Sequence, residues 1–224
     1  MESLIKSKER VTESGEVFTA KREVNAMLDL VKQETERIES KFLEQACGDG
    51  NFLAEILERK LRIVETRYRK SQLEYERNAV SAVSSLYGID ILPDNIEDCR
   101  KRLFEIFERS YDRLYPKTAK VGCKRAVRFI LSLNIICGDA LTLKTVGDNP
   151  QPIVFPQWSF PFHDSRIKRC DWMYEELMPP DKDDAMDLFA EPPLVSDLGE
   201  KVFLPKMMKD YPLVHFMKIG NVHE

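Results

Sequence analysis

The chain has 224 residues, enough for one sizeable domain and at most a small appendage. With 43% hydrophobic and 32% charged residues its composition is that of a globular protein, and no apolar run approaches the about 18 residues that a membrane-spanning helix needs. The net charge of -4 argues against a dedicated nucleic-acid binder, although the charge is uneven: 117–128 holds Lys117, Lys120, Lys124, Arg125 and Arg128 with no acid, while 181–200 is strongly acidic.

Val24, Met27, Leu28, Leu30 and Val31 recur at helical spacing, which predicts an amphipathic helix over 21–37. A short strand, 41–46, then runs into Cys47-Gly48-Asp49-Gly50. Phe52, Leu53, Ile56, Leu57, Leu61 and Val64 open a helical pattern that continues to about Ser84. That is long for one globular helix, so a break or an extension beyond the core is expected. A second strand spans 86–91, and Pro93 starts a helix with Ile96, Cys99, Leu103, Ile106 and Phe107 on one face. Pro116 interrupts it, and a basic helix over 117–133 leads into a third strand, 134–137, ending at Gly138-Asp139. A fourth strand, 152–155, ends at Pro156. Alternating strands and helices predict a mostly parallel sheet with helices on both faces, occupying 1–180. Pro179, Pro180, Pro192, Pro193, Pro205 and Pro212 punctuate the remainder, so 181–224 reads as an irregular C-terminal arm that packs on the domain or on a partner.

Cys47, Cys99, Cys123, Cys137 and Cys170 are scattered and odd in number, with no C-x-x-C pair, and so read as buried thiols rather than a disulfide framework or zinc site. His163, His215 and His223 are too few and too late for a metal cluster. Met1–Arg10 is charged and has no apolar signal core, which makes a cytoplasmic protein the expectation.

The chemistry gathers at strand ends. Gly48 and Gly50, one residue apart between a strand and a helix, let the backbone approach a ligand, and the helix beyond offers free N–H groups. Alone such a pair is equally a tight turn. Asp90 ends the second strand, where a carboxylate accepts hydrogen bonds from ribose hydroxyls in nucleotide-binding sheets, and Asp139 ends the third.

Leu43-Glu44-Gln45-Ala46-Cys47-Gly48-Asp49-Gly50-Asn51-Phe52-Leu53 resembles the Asp-Pro-Ala-Cys-Gly-Ser-Gly-Asn-Phe-Leu motif of DNA adenine methyltransferases, the modification subunits of restriction systems. Gly15-Glu16-Val17-Phe18-Thr19-Ala20 resembles their Gly-x-x-Phe-Thr-Pro segment, Tyr87-Gly88-Ile89-Asp90-Ile91 their acidic second motif, and Cys137-Gly138-Asp139-Ala140-Leu141 their third. The resemblance implies a Rossmann-like fold that binds S-adenosylmethionine. It assigns Phe18 and Thr19 to the methionine moiety, Glu44, Gly48 and Gly50 to the cofactor loop, Asp90 to the ribose, Ile91 to the adenine face and Asp139 to the adenine amine. Ala20 and Gln45 stand where the family has proline, and neither change removes a needed hydrogen-bonding group.

The family's catalytic Asn/Asp-Pro-Pro-aromatic tetrapeptide, which binds a flipped-out base, is absent. Phe155-Pro156-Gln157-Trp158, after the fourth strand, keeps a proline and the terminal aromatic but begins with a residue that accepts no hydrogen bond. Asn149-Pro150-Gln151-Pro152 keeps the Asn-Pro start but precedes that strand. Trp158 is either a base-stacking platform or a core aromatic. Lys117, Lys120, Lys124 and Arg128 at helical spacing, with Arg166, Lys168 and Arg169, form either a phosphate-binding face on DNA or a solvated stripe. Three functions follow: an adenine methyltransferase, a cofactor-binding regulatory or assembly subunit without catalysis, and a methyltransferase for RNA or protein. Little of the chain is left for a target-recognition domain, so either a partner protein or a second copy supplies sequence recognition or there is none.

Overall fold

A computed structural model of the chain describes residues 19–162, 164–177, 194–195, 201–202 and 206–222. The first expected helix forms as α1 (Lys21–Leu30) and, after a turn at Val31, the single turn α2 (Lys32–Thr35). Val24 and Leu28 are its buried stripe, whereas Met27 and Leu30 are exposed. Strand β1 (Phe42–Glu44) follows, then α3 (Asn51–Tyr68) and α4 (Gln72–Ser84). The long helical pattern thus does break, at Arg69–Ser71. Ser71 restarts it by accepting a hydrogen bond from the Glu74 backbone N–H, with Glu74 three residues on as in a capping box.

Lys60 on α3 fixes the approach to β1. It is fully buried, and its Nζ donates to the Ile38 carbonyl at 3.2 Å, to the Ser40 carbonyl and to Ser85 Oγ at 2.5 Å. Burial pushes this ammonium down to about 7.

Strand β2 (Leu86–Asp90) is followed by α5 (Pro93–Leu114), whose first residue is a proline that needs no hydrogen-bond partner there. Next come α6 (Val121–Asn134) and β3 (Ile135–Asp139). β1, β2 and β3 are parallel neighbours in that order, with Leu43 opposite Tyr87 and Ile89 opposite Ile136. The short β4 (Lys144–Thr145) closes this sheet antiparallel to β3.

The rest of the molecule departs from the expected parallel sheet. β5 (Val154–Ser159) pairs antiparallel with β6 (Arg166–Met173) over their length. β7 (Leu194–Val195) and β8 (Lys201–Val202) pair with each other. β9 (Met207–Asp210) and β10 (Val214–His215) both pair antiparallel with β6, and α7 (Ile219–Val222) follows. The reason lies between Asp139 and Val154: Gly147, Pro150 and Pro152 sit in an exposed stretch with no helix, and a parallel return needs a crossover of a dozen or more residues, usually helical.

The fold is α/β, but among the described residues helices cover only one face of the parallel strands. Leu86, Ile135 and Cys137 face the helices, in a core built from α1 and α3–α6. Tyr87, Ile89 and Ile136 face the other way, against Ile153, Phe155 and Tyr174, and no residue of the described helices joins that cluster. Within the expected arm, residues 206–222 pair with β6 and pack on the domain. Phe216 and Ile219, fully buried, enter the main core beside α6, each such burial stabilising by about 1.5–3 kcal/mol. Residues 181–193 lie outside the described residues.

Candidate functional site

Two polypeptide turns meet at the carboxyl ends of β1 and β2. Cys47 N donates to the Ile89 carbonyl at 2.9 Å, and Gly50 N donates to the Cys47 carbonyl at 2.8 Å, which folds the loop tightly before α3. Gly48 (φ 52°) and Gly50 (φ 84°) are both in the left-handed region that favours glycine. Gly50 has a second requirement: a Cβ there would lie 2.6 Å from Cys99 Sγ on α5. The loop is held from outside by Arg102, whose Nη1 lies 3.1 Å from Asp49 and donates to Asn51 Oδ1 at 2.7 Å.

Asp90 joins the two turns. One carboxylate oxygen accepts from Gly48 N at 2.9 Å; the other accepts from Leu92 N at 2.9 Å and from Asn95 Nδ2 at 3.4 Å. Asp139 is organised similarly, accepting from Leu141 N at 2.8 Å and from Thr142 Oγ1 at 3.0 Å, bonds that hold its carboxyl below the usual range. Glu44 is different. Burial raises its carboxyl to about 8, and its Oε2 is shut off from water with no hydrogen-bond partner.

These groups line one cleft of about 440 Å³. Thr19, Glu44, Gly48, Asp90, Ile91 and Asp139, all expected at the cofactor, are brought together on its walls. Ile91 is exposed there, as an apolar platform would be. Gly50 does not line the cleft and acts from beneath, by allowing α3 to approach α5. Phe18 lies outside the described residues. The cleft also takes in Gln45, Asn51 and Asn95, which the motif reading passed over. Asn95 had a local signal, a polar residue in the first turn of the helix after Asp90; Arg102 and Cys99 had none, since their role depends on packing between α5 and the loop. Cys47, beside the Cys99 thiol and buried, has its thiol pushed well above the ordinary value, so it packs rather than reacts.

The expected catalytic segment sits elsewhere. Phe155, Pro156, Gln157 and Trp158 lie within β5 instead of after it, and none lines the cleft. Phe155 is wedged edge-on between Tyr87 and Tyr174. The Pro156 carbonyl, the remaining acceptor of the tetrapeptide, accepts the Tyr87 hydroxyl at 2.9 Å. Tyr87 thereby serves the outer edge of β5, where a proline is tolerated because no ladder bond is required. Trp158 is buried, its Nε1 donating to Asn134 Oδ1 at 2.8 Å, and Asn134 in turn donates to the Ser84 and Leu86 carbonyls. Trp158 is therefore a core aromatic rather than a stacking platform. Gln157 is exposed. The alternative Asn149 lies in an exposed turn, also away from the cleft.

The basic residues do not form one open face. α6 begins at Val121, so Lys117 sits in the preceding turn, where it is exposed. Lys120 pairs at 2.9 Å with Glu76, whose side chain is fully buried, and Lys124 pairs with Asp112 at 2.7 Å and Glu108 at 3.0 Å. Arg128 covers the Phe104 ring at 4.0 Å. Arg166 pairs with Asp164 at 2.7 Å, Lys168 with Asp210, and buried Arg169 forms a two-pronged pair with Asp171 while lying 4.3 Å from the Tyr211 ring.

The chain matches no family model, no curated protein and no solved structure.

Proposed function

We propose that the chain is an S-adenosylmethionine-binding module with a Rossmann-like half-sheet, of the DNA adenine methyltransferase type. The observation that carries this reading is the convergence of Glu44, Gly48, Asp90, Ile91 and Asp139, from three separate strand ends, and of Thr19, from before α1, on one cleft. The donor and acceptor set suits the cofactor. Glu44, desolvated and without a partner, fits an ammonium such as that of the methionine moiety. Asp90 would hold the ribose, sharing a carboxylate whose oxygens already hold Gly48, Leu92 and Asn95. Ile91 would pack on the adenine and Asp139 would accept from its amine. When bound, the cofactor supplies an electrophilic methyl group.

Of the forms this protein can take, the burial of Phe155, Pro156 and Trp158 favours a cofactor-binding regulatory or assembly subunit over a self-sufficient adenine methyltransferase. Transfer to an adenine amine needs an acceptor beside the nitrogen. The Pro156 carbonyl is already taken by Tyr87. Losing one preorganised polar contact costs about 3–4 kcal/mol in the barrier. DNA recognition would then come from a protein partner or a second copy.

Titration calorimetry with S-adenosylhomocysteine tests the cofactor reading. Binding is expected, weakened in Asp90→Ala by about 1–3 kcal/mol; no binding at millimolar ligand would sink it. A radiolabelled methyl-transfer assay on DNA, RNA and cell extract separates the forms. Robust turnover of DNA by the chain alone would overturn the non-catalytic form, and turnover on RNA or protein alone would reassign the acceptor.

A further inference from the structure

β1 ends between two clefts. The second is a groove of about 610 Å³ between β1, α1 and the start of α3, and Glu44, Gln45, Ala46 and Phe52 belong to both. The groove is apolar and open: Met27 on α1 and Val31 at its end line it at 55% and 45% exposure, and half-buried Phe42 and Phe52 complete its accessible walls. Glu44 is the exception in this lining. Side chains alternate across a strand, so Glu44 leaves β1 on the same side as Phe42, which packs on the main core. That is the side on which α1 and α3 wall the groove. Its Oε2 has no hydrogen-bond partner, and no described cation pairs with it. The buried carboxylates of the neighbouring helices are treated differently: Glu55 is met by Arg59 at 3.1 Å and Glu76 by Lys120 at 2.9 Å. A carboxylate left alone beside apolar walls is complementary to a cation carried on an apolar body. The volume is that of a small-molecule site, for which about 300–1,000 Å³ is usual.

We propose that the groove binds an aliphatic amine as its ammonium ion, the ammonium against the Glu44 carboxylate and the hydrocarbon chain along Met27, Val31, Phe42 and Phe52. Its walls come from three separate elements rather than from parallel rings, so a flexible chain follows them better than a flat ring does. Glu44 stands at the boundary of the two clefts. The proposal concerns the groove with the first cleft empty, and it does not rest on what that cleft binds.

Calorimetry on the full chain with n-hexylamine, the neutral 1-hexanol and the anionic hexanoate tests this. It is run without cofactor at the pH of about 8 to which burial raises the Glu44 carboxyl, so that the ionised form is well populated. Hexylamine is expected to bind at submillimolar concentration, at least about tenfold more tightly than hexanol, the usual scale of a hydrogen bond to a charged group. Hexanoate should not bind. Glu44→Gln should bring hexylamine and hexanol to equal affinity. Met27→Trp, at an exposed position on the wall, should fill the groove and weaken both. Thermal melts establish that each variant is folded. S-adenosylhomocysteine is titrated separately into the same samples, so a failure of the cofactor reading and a failure of this proposal are told apart. No hexylamine binding at millimolar concentration, equal affinity for hexylamine and hexanol or hexanoate in the unmodified chain, an amine preference that survives Glu44→Gln, or binding untouched by Met27→Trp would each overturn the proposal.

Discussion

The loop from Glu44 to Phe52 and the strand from Phe155 to Trp158 are both fragments of one family resemblance, yet they end in opposite surroundings. In the loop, two left-handed glycines and the carboxylate of Asp90 organise backbone around an open cleft, leaving Glu44 with an unsatisfied oxygen. In the strand, each group that chemistry would need is consumed: the Phe155 ring by Tyr87 and Tyr174, the Pro156 carbonyl by Tyr87, the Trp158 indole by Asn134. A polar loop at a sheet end has little apolar surface to bury and stays open. An aromatic strand beside a sheet face is drawn into the core, because burying such rings stabilises the fold more than exposing them would. Of the two, the loop is the one that leaves a buried carboxylate oxygen without a partner.

The contrast can be broken by mutation. Phe155→Ala should cost the most, about 3–5 kcal/mol in urea unfolding, as for other buried aromatics. It should leave the cofactor affinity of the folded protein unchanged; a selective loss of affinity would place β5 in the site after all. Gly50→Ala should cost about 1–3 kcal/mol through overlap with Cys99 and the left-handed backbone, and should also weaken cofactor binding. Adding Cys99→Ala should recover part of that loss, and a purely additive double mutant would contradict the packing account. Tyr87→Phe leaves the Pro156 carbonyl without its partner and should cost about 1–3 kcal/mol without touching the loop.

Glu44 offers a pH test. Its folded value, about 8, lies above the ordinary 4.5, so the folded state holds this proton more tightly than the unfolded state does. Its contribution to stability is therefore complete below pH 4.5 and is lost as pH rises from there towards 8. Relative to the unmodified chain, Glu44→Gln should gain stability across that window. Binding of a cationic group needs the ionised carboxylate, so cofactor affinity should rise with pH towards 8 and flatten in Glu44→Gln. A flat profile in both proteins would remove Glu44 from the site. The smallest effect is expected at Lys117, exposed in a turn: Lys117→Ala should stay within about 0.5 kcal/mol in stability.

Much of the cleft was legible because its signals are local. Glycine spacing, a strand end and an acid at each turn are set by neighbouring residues, and Gly48, Asp90 and Asp139 fell where that logic placed them. The break between α3 and α4 was also legible, since the helical pattern outran a normal helix and Ser71 with Glu74 supplies the restart. The path of β5 was not. The sequence showed a proline after an apolar run and suggested that the strand stopped there. It continues because Tyr87, 69 positions away, satisfies the edge that Pro156 leaves open. Likewise the 117–128 segment contains no acid of its own, and the carboxylates that meet Lys120 and Lys124 belong to α4 and α5.

By itself, the sequence determined the order of the first three strands and their helices, the glycine turn and the acids at the strand ends, because helix period, capping and turn chemistry act over a few residues. Only the tertiary structure decided that β5 leaves the parallel sheet and pairs antiparallel with β6, that Phe155 and Trp158 are core, that Phe216 and Ile219 join the main body, and that Glu44 is left without a partner. Those outcomes depend on which distant side chain arrives to bury a ring or satisfy a hydrogen bond, and that is a property of the packed chain rather than of any segment of it.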